Sequence, residues 1–172
     1  MKLIEIKNTN LRRKWINKFL RAYHGKQVDV SAVPVRPNDT YLVGYANYRK
    51  VGYVSLRKLI GAPAIASPNG KLLKCAFVEK NHRGRGALKQ MIQLATEHYD
   101  VEVIEIERDR FERNRAYYAE LGFTQFECKP GETLGYCYSD EFAIALLCAR
   151  LNRRSLAAND NAQRMVAVPI AA

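Results

Sequence analysis

Apolar positions along this chain follow two spacings. Leu11, Trp15, Ile16, Phe19, Leu20 and Tyr23 recur every three or four residues, which places them on one helix face; Lys14, Lys18 and Arg21 fall on another. Asn8, Thr9 and Asn10 offer an N-cap before that helix, and His24-Gly25 ends it. The same spacing returns at Leu88, Met91, Ile92, Ala95 and Tyr99, predicting a second amphipathic helix. A shorter helix is expected over ERNRAYYAEL (112–121), stopped by Gly122.

The second spacing is that of strands. KLIEI (2–6), YLVGYANY (41–48), VGYVSLRKLI (51–60), KLLKCAFV (71–78), VEVIEIE (101–107) and FTQFECK (123–129) are rich in β-branched and aromatic residues. The second and third read as a hairpin turning around Arg49-Lys50, and Ser67-Pro68-Asn69-Gly70 marks a turn before the fourth. In VEVIEIE the alternation slips: Val101 and Val103 share a face with Glu105, Ile104 and Ile106 with Glu102. A bulge, or a carboxylate facing a polar cleft, would each explain it. Residues 25–40 form an irregular, proline-containing connection. From 152 to 172 the chain is small and polar without periodicity, so a mobile tail is expected beyond a domain of residues 1–151.

The chain of 172 residues, 48% of them apolar, is long enough for one domain with a core. Its formal charge of +11 is unevenly spread. Residues 1–100 hold 19 Lys+Arg against 6 Asp+Glu, whereas residues 101–172 hold 9 against 11. That excess would draw an anionic partner, whether a phosphorylated cofactor, nucleic acid or an acidic protein. Cys75, Cys128, Cys137 and Cys148 form no C-x-x-C pair and no histidine lies at ligand spacing, which argues against a zinc site. They are expected as core thiols in a reducing cytoplasm. The longest apolar run, FAIALLCA (142–149), is too short to span a bilayer, and MKLIEIKNTN lacks the apolar stretch of a secretory leader.

The most informative stretch is FVEKNHRGRGAL (77–88), where a buried strand leaves through Arg83-Gly84-Arg85-Gly86 directly into a helix. The first amides of a helix lack internal acceptors, and the helix dipole adds positive potential there. Glycines allow positive φ and close approach of a ligand, and successive amides form an anion nest. Arg83 and Arg85 would add charge-assisted contacts. The loop is built for phosphate, yet neither a Walker-type loop nor a G-x-G-x-x-G fingerprint is present.

V-E-K-N-H-R-G-R-G (78–86) resembles the acetyl-coenzyme A loop of the GCN5-related N-acetyltransferase (GNAT) superfamily, in which a valine ends the central strand and an arginine-glycine loop follows five residues on. The pattern's last small residue falls at Leu88, a departure. NRAYYAELGF (114–123) resembles the family's aromatic helix ending in Y-x-x-x-G-F through Tyr118, Gly122 and Phe123, and VGYVSL (51–56) its third strand. The resemblance implies an α/β (α+β) fold: one domain with a mixed central sheet of six to seven strands flanked by helices. It implies a final strand near 142–150. Locally, Ser139-Asp140-Glu141 reads as a helix start; the family order favours the strand.

The resemblance also implies chemistry. The backbone of Phe77 and Val78 would pair with the pantetheine arm of acetyl-CoA, with the Val78 amide polarising the thioester carbonyl. The amides from Arg83 through Gly84, Arg85 and Gly86 to Ala87 would hold its pyrophosphate. Asn114 and Tyr117 would lie beside the cofactor. Tyr118 would protonate the leaving thiolate. Glu79 and Glu105 are candidate bases, each also readable as a surface charge, and His82 reads as a ring packed beside the loop. The acceptor, an unidentified primary amine, is expected between the first helix, residues 25–40 and the segment after Gly122. An acyltransferase acting on nucleic acid (a tRNA aminoacyl amine or a DNA base) and a non-catalytic CoA-binding module are the alternatives; monomer and homodimer are both open.

Overall fold

The computed structural model describes residues 1–25, 29 and 35–166. Along the chain run β1 (Lys2–Glu5), α1 (Thr9–His24), β2 (Thr40–Ala46), β3 (Arg49–Lys58), α2 (Ala62–Ala66), β4 (Lys71–Val78), α3 (Ala87–Tyr99), β5 (Val101–Glu107), α4 (Arg108–Arg113), α5 (Arg115–Ala119), β6 (Phe123–Glu127), β7 (Leu134–Ser139) and α6 (Asp140–Val166). The seven strands form one sheet in the order β1-β2-β3-β4-β5-β7-β6. Only β4 and β5 pair in parallel; every other pairing is antiparallel. The expected mixed sheet with flanking helices is therefore present.

Alternation along the strands sends two sets of apolar side chains to opposite faces. Leu42, Val54, Leu56, Leu73 and Ile104 join Met91, Ile92 and Ala95 of α3 in the main core. Tyr41, Val43, Tyr53 and Phe77 join Trp15 of α1 in a second. Trp15 stacks on Tyr53 at 6.0 Å between ring centroids and meets Phe77 edge-on at 6.3 Å. The α1 cap is Asn8, whose Oδ1 accepts from the Leu11 amide at 3.0 Å. A third cluster sets Phe142 and Leu146 of α6 against Val103 and Tyr138.

The slip in VEVIEIE is a bulge. Lys71 pairs with Val101 and Leu72 with Val103, so Glu102 is passed over and Val101, Val103, Ile104 and Ile106 are all buried. The β2–β3 hairpin turns two residues earlier than expected, at Asn47-Tyr48, where both φ values are positive (48° and 61°) as a tight primed turn requires.

Other expectations are corrected. Residues 142–150 are helix, not a final strand: the Ser139 hydroxyl accepts from the Phe142 amide at 3.3 Å, and Asp140 and Glu141 lie in the first turn, where the dipole favours them. The final strand is instead β7, inserted between β5 and β6. The segment read as an aperiodic tail continues α6 as far as Val166, and 167–172 lie outside the described residues. The expected 112–121 helix is broken at Asn114, whose Nδ2 donates to the Arg110 carbonyl at 2.8 Å and closes α4. Of the four thiols, Cys137 is buried but Cys148 is exposed, contrary to a core role.

Two measurements test this packing. A Cβ at Gly52 would lie 2.2 Å from the Phe77 carbonyl oxygen and 2.9 Å from Met91 Cε. Gly52→Ala should cost about 2 kcal/mol or more and lower Tm by about 4–8 °C in calorimetry. Burial pushes the thiols of Cys75 and Cys137 up to about 12. At pH 8 each is then thiolate in roughly one molecule in ten thousand. Iodoacetamide should label Cys148 in the native protein, and Cys75 and Cys137 only after unfolding, as read by peptide mass spectrometry.

Candidate active site

The parallel pairing of β4 with β5 runs only from Lys71–Leu73 to Val101–Ile104. Beyond it, β4 continues to Val78 with no partner on that side, while β5 turns its edge to β7 as far as Glu107. The two strands part, and a gap opens in the middle of the sheet. On the opposite edge β4 stays paired with β3, Gly52 facing Val78. The Glu79 amide donates to the Val51 carbonyl at 2.9 Å, which makes Gly52–Val78 a non-hydrogen-bonded pair. The N–H and C=O of Val78 therefore point into the gap, as do those of Ala76 by alternation. Phe77, expected to offer its backbone there, turns it toward β3 instead.

The carbonyl of Val78 accepts from Arg83 Nε at 2.9 Å, and the Arg83 guanidinium lies 5.7 Å from the Phe77 ring centroid. Arg83 thus braces the loop against the strand it has just left. A single helical turn over Lys80–His82 reverses the chain, and then Gly84 and Gly86 adopt φ of 70° and 71°. That left-handed conformation strains any residue with a side chain. Gly86 caps α3 without a side-chain bond, and the first internal hydrogen bond runs from the Gln90 amide to the Gly86 carbonyl at 3.0 Å. The amides of Ala87, Leu88 and Lys89 are left without helical acceptors, and no acidic residue sits in the first turn.

Those three residues line a cavity of about 670 Å³. Val78, Arg83, Gly84, Gly86 and Ala87 line one side; Arg110, Arg113, Asn114, Tyr117 and Tyr118 line the other. Arg85 and Phe77, both expected there, do not line it. Arg110 and Arg113 were missed, although their i, i+3 spacing puts them on one face of α4. The Tyr117 hydroxyl is buried without a hydrogen-bond partner, and burial raises its pKa well above that of an ordinary phenol.

A second cavity, of about 460 Å³, adjoins the first through Leu88, Arg110 and Tyr118, which line both. Ile16, Phe19 and Leu20 of α1 cover it, β2 to β5 form its floor, and Arg36, Asp39 and Leu134 lie along it. Tyr118 is 6% exposed; its ring stacks on Phe111 at 6.0 Å and meets Tyr117 edge-on at 5.0 Å. Glu105 lines this second cavity, with both oxygens engaged by Lys74. Glu79 lines neither and pairs with Lys18. Cys75 faces the cavity as a neutral thiol accepting from the Tyr53 hydroxyl at 3.5 Å. Among the described residues no group of His, Cys, Asp and Glu could hold a metal, and no helix is long and apolar enough to cross a membrane.

Comparison with known proteins agrees with this architecture. The family model "Acetyltransferase (GNAT) family" matches residues 5–123. No curated protein matches the chain. An acetyltransferase from Thermus thermophilus superposes with a TM-score of 0.52 at 15% identity, over 80% of this chain and 96% of that one. An aminoglycoside 6'-acetyltransferase type Ii gives 0.51 at 15% identity, over 80% and 95%. A ribosomal-protein-alanine N-acetyltransferase from Brucella melitensis gives 0.50 at 18% identity, over 80% and 97%. At these identities the likeness is one of fold, and the family rests on the match over residues 5–123: the chain belongs to the GNAT family of acetyltransferases.

Proposed function

We propose that this protein transfers an acetyl group from acetyl-coenzyme A to a primary amine. The observation that carries the reading is the parting of β4 and β5, which aims the Val78 amide into a cleft ending at the glycine loop of α3. The residues fit the donor. The amides of Gly84, Gly86, Ala87, Leu88 and Lys89, with Arg110 and Arg113 opposite, suit a diphosphate. The backbone of Ala76 and Val78 suits an extended amide arm added as a strand. The unpartnered Tyr117 hydroxyl suits a polar group of a bound molecule.

Acetyl-CoA supplies an activated acetyl group as a thioester; the chain supplies the rest. The Val78 N–H donates to the carbonyl oxygen as it gains negative charge, a contact of a kind worth about 3–4 kcal/mol. The amine, entering from the second cavity, forms the new C–N bond as the C–S bond breaks. Tyr118, at the junction of the two cavities, gives its phenolic proton to the departing sulfur. Phenol and thiol pKa values near about 10 and 8.5 make that transfer feasible. The proton lost by the amine passes by way of water to the phenolate and restores the phenol. Glu105 lines the second cavity and Glu79 does not, but both oxygens of Glu105 are held by Lys74, so it is not a free base.

Acetyl-CoA should raise Tm through ligand linkage, and Gly84→Ala, forced into positive φ, should reduce that rise. An unchanged melt with saturating acetyl-CoA would overturn the reading. Tyr118→Phe should lower kcat by roughly 10²–10³-fold while leaving the acetyl-CoA shift in place. A kcat within twofold of the parent enzyme would remove Tyr118 from the role of acid.

A further inference from the structure

The charges around the second cavity do not suit an unspecified amine equally well in every form. Three carboxylates line it: Asp39, Glu105 and Glu107. Asp39 is 7% exposed, and both its oxygens take hydrogen bonds of 2.9 Å from Arg57, through Nε and Nη2. Arg57 is held more strongly in its charged form by that contact. Both oxygens of Glu105, whose side chain is 10% exposed, are engaged by Lys74. Each of these carboxylates is already neutralised within the protein. Drawing either to a ligand ammonium would strand a partly buried cation, a costly exchange. Only Glu107 remains, and it is exposed at the rim.

The cations are not so fully used. Arg57 bonds Asp39 through two of its three nitrogens, which leaves Nη1 available, and its side chain is 27% exposed. Arg36, exposed like Glu107, lines the same cavity and makes no ion pair with the described residues. The Asp39 amide donates to the Arg36 carbonyl at 3.2 Å, so one turn sets the Arg36 backbone close to that of Asp39. Arg36 and Arg57 thus both line the cavity, near a single, already bonded carboxylate. Tyr118 lines it where it meets the cofactor cleft. Its volume of about 460 Å³ is that of a small-molecule site.

We propose that the acceptor is a small primary amine carrying an oxyanion, a carboxylate or a phosphate, which Arg36 and Arg57 hold while the amine faces Tyr118. This rests on the acetyl-transfer reading above. Planar guanidinium groups recognise either oxyanion through paired N–H donors. Polyamines and other polycations meet one exposed carboxylate without an ion pair among the described residues, Glu107, against the two arginines, and are disfavoured.

The test uses matched pairs of amines with the full-length enzyme and acetyl-CoA, following release of the free thiol. One arm compares dipeptides having a free C-terminal carboxylate with their C-terminal amides. A second compares aminoalkyl phosphates with the corresponding amino alcohols, and spermidine serves as the polycation. The oxyanion-bearing member should show kcat/KM at least about tenfold above its neutral partner, and spermidine should fall below both. Which arm gives the larger ratio identifies the oxyanion. Arg36→Gln should reduce the ratio toward one without changing the Tm shift caused by acetyl-CoA; Arg57→Lys, which keeps a cation for Asp39, should reduce it in part. A parallel arm needs no turnover: with CoA present, the same amines should raise Tm in the same order. Equal rates or equal shifts within the pairs, or a preference for spermidine, would overturn the inference. Failure of the parent reading has a different signature, the absence of any shift with acetyl-CoA itself.

Discussion

The arrangement of this protein depends on one interruption of backbone pairing. A parallel pair of strands has every reason to continue once begun, because each further residue satisfies a donor and an acceptor. Here β4 and β5 stop after Leu73 and Ile104. Each is retained on its other side, β4 by β3 and β5 by β7, so the sheet does not unravel where they diverge. The unpaired edge sits inside the molecule, between the two helix layers. That is the reverse of an ordinary edge strand, which a protein leaves outside and blunts.

The two cavities lie where this interruption places them. The glycine loop follows directly from the end of β4, so the open amides of α3 and the Val78 amide belong to one continuous stretch of chain. On the other wall, the break at Asn114 separates α5 from α4, and Tyr117 and Tyr118 lie within that short helix. Phe111 packs against Phe126 at 4.7 Å and against Tyr118 at 6.0 Å, which fixes that wall to the sheet. The site is therefore built on one side from main chain and on the other from stacked rings.

What the sequence disclosed follows from how local each cause is. The loop at 83–87 needs glycine at two positions for conformational reasons, and such a need is visible in any single chain. The α1, α3, β4 and β5 segments carried enough apolar periodicity to be placed. LGYCYS, which became β7, carries too short a pattern, and its identity comes from pairing with Val103–Glu107 and Phe123–Glu127. At 142–150 the family order and the local signal disagree, and the helix start that Ser139 supplies prevails. The second cavity was legible only in outline. Its ion pairs join residues 18 apart (Asp39 and Arg57) and 31 apart (Lys74 and Glu105), and no local spacing announces a contact of that range. Arg85 and Phe77 were assigned from their position in a motif, whereas the direction in which each points is set by the turn and by the ladder.

The Val78 amide is a feature of the main chain. Every amino acid except proline would present the same N–H at that position, provided the strand holds its course. Mutation can thus rewrite nearly every side chain around the gap while the donor persists, inherited with the topology instead of with any residue. The wall of the second cavity enjoys no such immunity, since side chains alone set its charge and shape. Descendants of a common ancestor would then diverge quickly in what they modify and slowly in how, and little resemblance between their texts need remain.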